Sequence, residues 1–248
     1  MHKNCSGALA IGGVAKGKGH RMRAALVGAS TFEADHFRKQ HFDYVVAVDG
    51  GYAHLQALGV EPDEVVGDFD SLGYVPSAEK VIRYPSEKDA SDMALACDIA
   101  AAAGCDELVL YGALGGRLDH TLANLALMQG QARAGRRICA VGEGCVVAML
   151  AATEGHAAEL RFQAIPLEKL TAEPYRNFLS VFAWGGTAQG VWERGLKYSL
   201  EEAVLKDDIS LGLSNEFTGT EASIGLEQGI LLIVVPLAAW DFSETNRA

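Results

Sequence analysis

The feature that most constrains the fold is an alternation of short apolar runs with helix-like stretches between residues 24 and 142. The runs are apolar at almost every position, which is typical of strands buried on both faces of a parallel sheet. Strands of this kind that alternate with helices predict an α/β domain with a mostly parallel, doubly wound (Rossmann-like) sheet. The predicted strands are 24–29, 43–51, 63–71, 80–85, 107–113 and 136–142, and the predicted helices are 32–40, 52–59, 89–103 and 118–135.

After about residue 143 the pattern changes to short strand-like runs separated by turn residues. Only 167–175 and 199–206 have the spacing of brief helices. Many short strands in succession predict an all-β sandwich, so we expect a domain boundary near residues 143–155. The strand-like runs are 145–151, 160–165, 178–184, 223–229 and 230–236.

The chain is acidic, with a formal net charge of −11 at pH 7. This argues against nucleic acid and anionic membranes as partners, because both need a basic protein face. No run approaches the ~18 apolar residues of a membrane-spanning helix. The cysteines form no C-x-x-C pair, and Cys97, Cys139 and Cys145 lie in apolar or alanine-rich stretches. This predicts buried thiols in a reducing compartment, and therefore a cytoplasmic protein.

The N-terminal stretch GGVAKGKG (12–19) resembles part of a phosphate-binding P-loop. A P-loop needs Ser or Thr after the lysine to bind magnesium, and Gly19 occupies that position. We therefore expect residues 1–22 to be a disordered extension and any nucleotide to bind elsewhere.

Acids, glycines and bases follow four of the predicted strands at the point where each strand ends. In a doubly wound sheet, ligands bind outside the carboxyl ends of the strands, so we expect these segments to meet in one site. The segments are DGG at 49–51, GDFDS at 67–71, SEKDASD at 86–92 and GALGGRLDH at 112–120.

The acids of these segments have the chemistry of a magnesium site. Asp68 and Asp70 are two residues apart at a strand end, so both point to the same side. Asp89 and Asp92 are three apart in the first turn of a predicted helix and share a face. Carboxylates this close repel one another unless a cation lies between them, and hard oxygen ligands are those that Mg²⁺ prefers.

The glycines and bases have the chemistry of a phosphate site. Glycines at 50–51, 112 and 115–116 allow backbone N–H groups to approach phosphate oxygens. Lys88 and Arg117 would neutralise phosphate charge, and the helix predicted to follow Arg117 would add its positive end. Because the acids would repel a polyphosphate, the combination predicts a nucleotide that divalent cations bridge to the carboxylates.

Each short pattern also has an ordinary structural explanation. A D-x-D after a strand is more often a turn or a helix cap than a metal site. Asp89 or Ser91 would serve as the N-cap of its helix, Asp119 as a cap of the next helix, and Gly115–Gly116 as a tight turn. Taken singly these explanations are preferable, but the occurrence of all the patterns at neighbouring strand ends favours a site.

The motifs VVAVDGG, GDFDS, YPSEKDASD and GALGGRLDH occur in an order and spacing that resemble the thiamine pyrophosphokinase family. The resemblance continues in RGLKYSL, GLSNEFTG and IGLEQGILLIVV and covers residues 24–236. It implies Mg²⁺-dependent transfer of pyrophosphate from ATP to the hydroxyl of thiamine, giving thiamine diphosphate and AMP. It also implies a homodimer, with the thiamine site between the nucleotide domain of one subunit and the sandwich of the other.

The resemblance implies roles for individual residues at the nucleotide. The acids that match metal ligands are Asp68, Asp70 and Asp92. The residues expected around the nucleotide are Asp49, Gly50, Gly51, Ser71, Lys88, Gly112, Gly115, Gly116, Arg117, Asp119 and His120. The expected catalytic groups are Asp68, Asp70, Asp89, Asp92, Lys88, Arg117 and Asp119, and the sequence does not choose between Asp89 and Asp119 as acceptor of the hydroxyl proton.

On the thiamine side, Tyr198 matches an aromatic residue that stacks on a thiamine ring, and Ser214 and Asn215 match polar contacts. Without the resemblance, Tyr198 would be interpreted as a half-buried strand tyrosine and Ser214–Asn215 as a turn. Arg194 and Cys145 depart from the family's usual residues, and both departures concern the thiamine side rather than the ATP side.

The resemblance implies a domain organisation, and three other functions compete with the one that it implies. We expect a disordered extension (1–22), an ATP-binding catalytic α/β domain (23–145), a thiamine-binding β-sandwich (146–240) and a tail (241–248).

The alternative functions are a pyrophosphokinase for another hydroxymethyl compound such as a pterin, a catalytically silent thiamine- or nucleotide-sensing module, and a nucleotide-sugar glycosyltransferase. The retained acids argue against the silent module, and the glycosyltransferase leaves GGRLDH and the sandwich without a role.

Overall fold

The structure is a computed structural model that describes residues 21–68, 81–83 and 90–240 of the chain. The alternation of strands and helices expected for the first half is present. The helices are α1 (Ala34–Phe37), α2 (Gly51–Leu58), α3 (Asp92–Ala102) and α4 (Leu118–Arg133), with 3₁₀ turns at Leu167–Lys169 and Leu237–Ala239. The strands are β1 (Arg23–Val27), β2 (Tyr44–Val48), β3 (Glu64–Gly67), β4 (Val81–Arg83), β5 (Glu107–Tyr111), β6 (Arg137–Gly142), β7 (Cys145–Ala151), β8 (Ala158–Phe162), β9 (Phe178–Ala183), β10 (Ala188–Arg194), β11 (Leu200–Leu205), β12 (Gly212–Glu216), β13 (Ala222–Leu226) and β14 (Ile230–Pro236).

Six strands form a parallel array in the order β6-β5-β1-β2-β3-β4, so their carboxyl ends lie at one edge. Both faces of the array are buried. In β1, Ala25 and Val27 belong to one hydrophobic core, and Ala24 and Leu26 belong to the other. This is why the predicted runs are apolar at nearly every position rather than alternating.

The parallel array continues into the second half of the chain without a break. The chain reverses at residues 143–144, and β7 pairs antiparallel with β6. Strands β14, β9 and β12 extend the same sheet, which has ten strands among the described residues. A sandwich separate from the first sheet was expected from the sequence. Instead, one sheet spans both halves, because the tight turn leaves β7 directly beside β6.

The second sheet is antiparallel and has the order β11-β10-β13-β8. Its buried side chains Phe162, Val191 and Ile224 belong to the same hydrophobic core as Val181 and Leu231 of the large sheet. The second half of the chain therefore has two β-layers, of which only one is separate from the parallel array.

Residues 199–206, expected to be a brief helix, contain strand β11. Glu201 pairs with Arg194 of β10 through two hydrogen bonds, of 2.9 Å from Nε and 2.7 Å from Nη2. Glu, Ala and Leu favour helices, but this preference is weak and cross-strand pairing overrides it. The other expected helix, 167–175, is reduced to the 3₁₀ turn Leu167–Lys169.

The expected buried thiols are confirmed. Cys97, Cys139 and Cys145 are buried and free, as is Cys105. In the part of the chain that the structure describes, no helix is both long and apolar enough to cross a membrane. The stretch GGVAKGKG and the expected tail 241–248 lie outside the described residues.

The contact between α1 and β5 predicts a pH dependence of stability. His36 Nδ1 lies 2.9 Å from the hydroxyl of Tyr111, and burial, with the charge of Lys39, lowers the His36 pKa from 6.5 to about 4. The unfolded chain therefore takes up a proton that the folded chain excludes, so the stabilising effect is complete above pH ~6.5 and is lost as the pH falls towards ~4.

We expect the free energy of unfolding to fall by about 1 kcal/mol more between pH 7.5 and 5.0 in the wild type than in His36→Gln, after allowance for the partial exposure of the ring. Urea unfolding at the two pH values measures this difference. An equal pH dependence in both proteins would show that His36 does not contribute.

Candidate active site

A cleft of about 620 Å³ opens at the carboxyl ends of β1, β2, β3 and β5. This is the edge of the sheet at which the sequence analysis expects a ligand. The cleft also reaches the first turns of α3 and α4, so two helix N-termini face it.

The floor of the cleft is a close contact between the ends of β1 and β5. Gly28 N–H donates to the carbonyl of Tyr111 at 2.8 Å, and Ser30 N–H donates to the carbonyl of Gly112 at 3.0 Å. Gly112 has a φ of +58°, and a Cβ there would lie 2.1 Å from the Gly28 carbonyl oxygen. Only glycine fits this position, because a side chain would collide with backbone and occupy the left-handed region.

One wall of the cleft is acidic and comes from three elements. Asp49, after β2, has a φ of +48°, which is uncommon outside glycine and is tolerated best by Asn and Asp. Its Oδ1 accepts a hydrogen bond of 3.2 Å from the backbone N–H of Asp68, which fixes the end of β3 against the end of β2. Asp92 is the first residue of α3, and Ser91 caps that helix by accepting from Ala94 N–H at 3.2 Å.

The opposite wall is formed by the segment between β5 and α4. Buried Asn124 donates from Nδ2 to the carbonyl of Ala113 at 2.7 Å, which ties α4 to the end of β5. The hydroxyl of Thr121 accepts from Gly115 N–H at 3.2 Å, and the Ser30 hydroxyl donates to the carbonyl of Leu114 at 2.9 Å. The loop is therefore held by side chains on both sides, and its exposed glycines border the cleft.

Arg117 precedes α4 and is paired with Asp119. The guanidinium donates from Nε to Oδ1 at 3.1 Å and from Nη2 to Oδ2 at 2.5 Å. The hydrogen bond from Arg117 lowers the pKa of Asp119 and the same contact raises the pKa of Arg117. Both side chains are exposed, so an anion that enters the cleft can compete with Asp119 for the guanidinium.

The cleft brings together most of the described residues that the sequence analysis expected at the nucleotide. Asp119 does not line it, and neither do Gly50 and Gly51. Four expected residues lie outside the described part of the chain: Asp70, Ser71, Lys88 and Asp89. The expected residues that line the cleft are Asp49, Asp68, Asp92, Gly112, Gly115, Gly116, Arg117 and His120.

The glycines after β2 have a packing role. Gly50 is the N-cap of α2, and Gly51 begins that helix. A Cβ on Gly51 would lie 1.7 Å from the carbonyl oxygen of Val27, so the residue allows α2 to contact the end of β1. Sequence spacing alone does not separate this use of a diglycine from a phosphate contact.

Sequence reasoning missed Gly28, Ala29, Ser30 and Asn124, which also line the cleft. The first three follow β1 directly, so the strand-end rule that identified the other segments could have found them. Asn124 lies in the middle of α4 and carries no comparable signal, because its contact with Ala113 depends on how the helix packs.

Asp68 and Asp92 are the carboxylates that could hold a metal together with Asp70. Across 21–68, 81–83 and 90–240, no group of three or more His, Cys, Asp or Glu side chains is close enough to form a complete metal site. A site built on Asp68 and Asp92 therefore needs a ligand from the segment that contains Asp70, from the nucleotide, or from water.

The residues expected at thiamine lie in the second half of the chain. Tyr198 is 60% exposed in the turn between β10 and β11, and Lys197 Nζ lies 5.4 Å from the centre of its ring. Ser214 is exposed at an irregularity of β12, and its N–H donates to the Ser180 hydroxyl at 3.0 Å. Asn215 is buried beneath Tyr198 and bonds to its backbone.

Comparisons with known proteins agree on one family. A model described as thiamin pyrophosphokinase, catalytic domain, matches residues 37–140, and one described as thiamin pyrophosphokinase, vitamin B1 binding domain, matches residues 167–231. Together these two matches cover more than half of the chain. The chain belongs to the thiamine pyrophosphokinase family.

Individual relatives agree with this assignment. The thiamine pyrophosphokinase of Bacillus subtilis (strain 168) is 25% identical over 195 residues, which are 76% of this chain and 85% of that protein. The crystal structure of the thiamin pyrophosphokinase from Geobacillus thermodenitrificans has a TM-score of 0.69 at 26% identity and covers 90% of this chain and 99% of that one. The Bacillus subtilis crystal structure, at 22% identity, shares the fold with a TM-score of 0.72 over 86% of this chain and 98% of that one.

The β1–β5 contact predicts a contrast between two glycines. We expect Gly112→Ala to lower the free energy of unfolding by about 3 kcal/mol, because the new methyl group meets the Gly28 carbonyl in a left-handed backbone. Gly130, in α4, has nothing within 4 Å of an added Cβ, so Gly130→Ala is expected to stabilise the chain by about 0.5–1 kcal/mol. Urea unfolding of both variants measures the contrast, and equal effects of the same sign would contradict it.

Proposed function

We propose that this chain is an enzyme that transfers the pyrophosphoryl group of ATP to the hydroxyl of thiamine, with thiamine diphosphate and AMP as products. The observation that carries the proposal is the cleft at the strand ends, where three carboxylates, an arginine and glycine-rich backbone meet. The matches to a catalytic-domain model and to a vitamin B1 binding-domain model support the pair of substrates. On this proposal, residues 23–145 form the ATP-binding half and residues 146–240 the thiamine-binding half.

We infer that the acidic wall holds Mg²⁺ against the ATP phosphates. Asp68 and Asp92 line the same cleft and offer the hard oxygen ligands that this ion prefers, with Asp70 as the proposed third carboxylate. When bound, the ion draws negative charge from the phosphate oxygens. Asp49 contributes to the site by orienting the backbone at Asp68 through the bond to its N–H.

The phosphates are proposed to lie between the acidic wall and the loop that precedes α4. Gly115 and Gly116 border the cleft without side chains, so phosphate oxygens can come close to the backbone of this loop. The Gly115 N–H is bonded to the Thr121 hydroxyl, so the proposed backbone donor to phosphate is the N–H of Gly116. Arg117 binds the phosphates after it releases Asp119, and Lys88 is the second proposed cation. The N-terminus of α4 adds a favourable field for the same charge.

The reaction is a direct displacement at phosphorus. The hydroxyl oxygen of thiamine forms a bond to the β-phosphorus, the bond from that phosphorus to the α-phosphate oxygen breaks, and AMP leaves. The chain contributes mainly by positioning and charge neutralisation. The hydroxyl proton passes to Asp89 or Asp119, and Asp119 becomes the stronger base when Arg117 exchanges it for phosphate.

We propose a homodimer whose thiamine site lies between the nucleotide half of one subunit and the β-layers of the other. Exposed apolar side chains on both halves support this. Leu118 and Leu122 on α4 are 71% and 54% exposed, and Leu211, just before β12, and Leu213, within it, are 62% and 55% exposed. Leu118 and Leu122 are four residues apart on α4 and share one face of the helix, so a second chain that covers this face would bury both. Sedimentation equilibrium is expected to give the mass of two chains, and a monomer at every concentration would overturn the proposal.

The other functions considered from the sequence are less well supported. A pyrophosphokinase for a pterin would use the same cleft, but the match of residues 167–231 to a vitamin B1 binding model favours thiamine. A silent sensing module is not favoured, since Asp68, Asp92 and Arg117 remain together in the cleft.

The test of the proposed function is an assay for AMP that depends on ATP, Mg²⁺ and thiamine together. We expect AMP formation from the wild type and a loss in kcat/KM of about 10²-fold or more in Asp68→Asn and Asp92→Asn, because each loses a charged oxygen at the metal. Asp98→Asn is the matched control. Asp98 is exposed on α3, the helix that begins at Asp92, and does not line the cleft. We expect it to retain activity within about twofold.

Two results would overturn the proposal. One is AMP formation by the wild type that does not depend on thiamine, or that is faster with a pterin alcohol. The other is near-wild-type turnover of both cleft variants at saturating ATP and Mg²⁺, with circular dichroism confirming that they are folded.

A further inference from the structure

Glu193 is a carboxylate in a position where the fold otherwise places apolar side chains. It lies on β10 and is 1% exposed, and Ala188 and Val191 of the same strand are fully buried. Burying a carboxyl group is unfavourable unless hydrogen bonds compensate for the lost water. One of its oxygens, Oε1, has no hydrogen-bond partner in the part of the chain that the structure describes. Packing alone therefore does not explain this residue.

The other oxygen of Glu193 contacts the buried amide of Asn215. Asn215 Nδ2 donates to Glu193 Oε2 at 2.6 Å and to the Tyr198 carbonyl at 2.7 Å. Its Oδ1 accepts from Tyr198 N–H at 3.0 Å and from Glu216 N–H at 2.9 Å. A side-chain amide has two donor hydrogens and two acceptor lone pairs, so all four bonds are made within the chain.

The Asn215 amide bonds to the backbone of Tyr198 as a neighbouring strand would. The residue lies after β10 ends at Arg194 and before β11 begins at Leu200. Its N–H and its C=O both bond to Asn215, so a single side chain fixes the peptide groups on both sides of its Cα. The orientation of Asn215 therefore sets the direction in which the exposed ring of Tyr198 leaves the turn.

Glu193 supplies the one hydrogen bond of that amide that comes from another side chain, and so completes the set that holds its orientation. Without the bond to Oε2, one hydrogen of Nδ2 is buried without a partner, which costs about 1–3 kcal/mol and allows the amide to turn away. Burial raises the pKa of Glu193, and the hydrogen bond from Asn215 opposes the rise, so the neutral acid is favoured more than at a surface position. A neutral carboxyl group keeps the acceptor that Asn215 needs.

The hydrogen bonds of Asn215 also help to position the ammonium group of Lys197 beside the Tyr198 ring. Lys197 Nζ pairs with Glu216 Oε1 at 2.5 Å, and Lys197 N–H donates to the Glu216 carbonyl at 3.0 Å. Glu216 is held in turn by Asn215 through its own N–H. The buried Asn215 amide thus holds the backbone of Tyr198, which carries the ring, and the backbone of Glu216, which pairs with Lys197.

We propose that Glu193 is a positioning residue for thiamine binding, which acts through the Asn215 amide to hold the Tyr198 ring in the direction that stacks on the substrate. The inference rests on the proposed function, since it takes Tyr198 as the residue that contacts a thiamine ring. Glu193 touches neither substrate and contributes by keeping the turn in one conformation before binding.

The experiment compares Glu193→Met with Glu193→Gln in steady-state kinetics. Glu193→Met keeps a similar volume and removes the acceptor, and we expect it to raise KM for thiamine about tenfold, with kcat and KM for ATP within about twofold of the wild type. Glu193→Gln keeps an acceptor for Asn215, so its KM for thiamine is expected to stay within about twofold of the wild-type value. Glu154 is an exposed glutamate after β7, and Glu154→Met controls for the general effect of replacing a glutamate by methionine.

A second measurement reports the turn directly and does not depend on activity. Hydrogen exchange of the peptide that contains Tyr198 is expected to be about tenfold faster in Glu193→Met than in the wild type and unchanged in Glu193→Gln, because the Tyr198 N–H loses a fixed acceptor. If Glu193→Met does not fold, Glu193→Asp, which withdraws the acceptor by one methylene, replaces it in both measurements.

The outcomes separate this inference from the proposed function. Unchanged KM for thiamine and unchanged exchange in Glu193→Met would overturn the inference while wild-type activity with thiamine stands. Equal increases in KM for thiamine and for ATP would also overturn it, because they indicate a general structural role. Wild-type protein without thiamine-dependent AMP formation would overturn the proposed function, and with it the link from Glu193 to thiamine.

Discussion

The arrangement of the site depends on parallel pairing in the first half of the chain. Because β1 pairs in parallel with β2 and β5, and β2 with β3, the segments that follow these strands emerge at one edge. The close contact of Gly28 with Gly112 brings the ends of β1 and β5 together and forms the floor of the cleft. Residues far apart in sequence, such as Asp49 and Asp92, thereby line one cavity.

The second half of the chain is attached to this site by a continuous sheet. Strand β7 pairs with β6 on one side and with β14 on the other, so the parallel and antiparallel parts share one set of backbone hydrogen bonds. Tyr198 is then held by a buried polar network rather than by a strand neighbour. The cleft is therefore formed by strand ends, whereas the position of Tyr198 depends on one amide and its carboxyl partner.

Much of the first half could be predicted from the sequence, because its signals are local. Continuous apolar runs give buried strands, and the strand-end rule predicted that Asp68, Asp92 and Arg117 would lie at one edge of the sheet, where they line the same cleft. Gly51, expected at the nucleotide, packs against the end of β1 and does not line the cleft, whereas Ser30, which follows β1 and was not predicted, lines it. A diglycine after a strand looks the same in sequence whether it contacts phosphate or backbone.

The second half was less predictable, because its structure depends on pairing between distant segments. The helix-favouring residues 199–206 form a strand since β10 lies beside them. A tight turn at 143–144 merges sheets that composition alone would separate. Burial of Glu193 and its bond to Asn215 leave no trace in the sequence, since a glutamate in an alternating strand is ordinarily assigned to the exposed face.

The proposed function requires carboxylates from separate strand ends to hold magnesium beside a triphosphate. A crystal structure of the full chain with Mg²⁺ and a non-hydrolysable ATP analogue tests it most directly. We expect metal density bound by Asp68, Asp70 and Asp92, with the phosphates next to Gly115, Gly116 and Arg117. Nucleotide density elsewhere on the molecule, with those three aspartates directed into solvent, would contradict it.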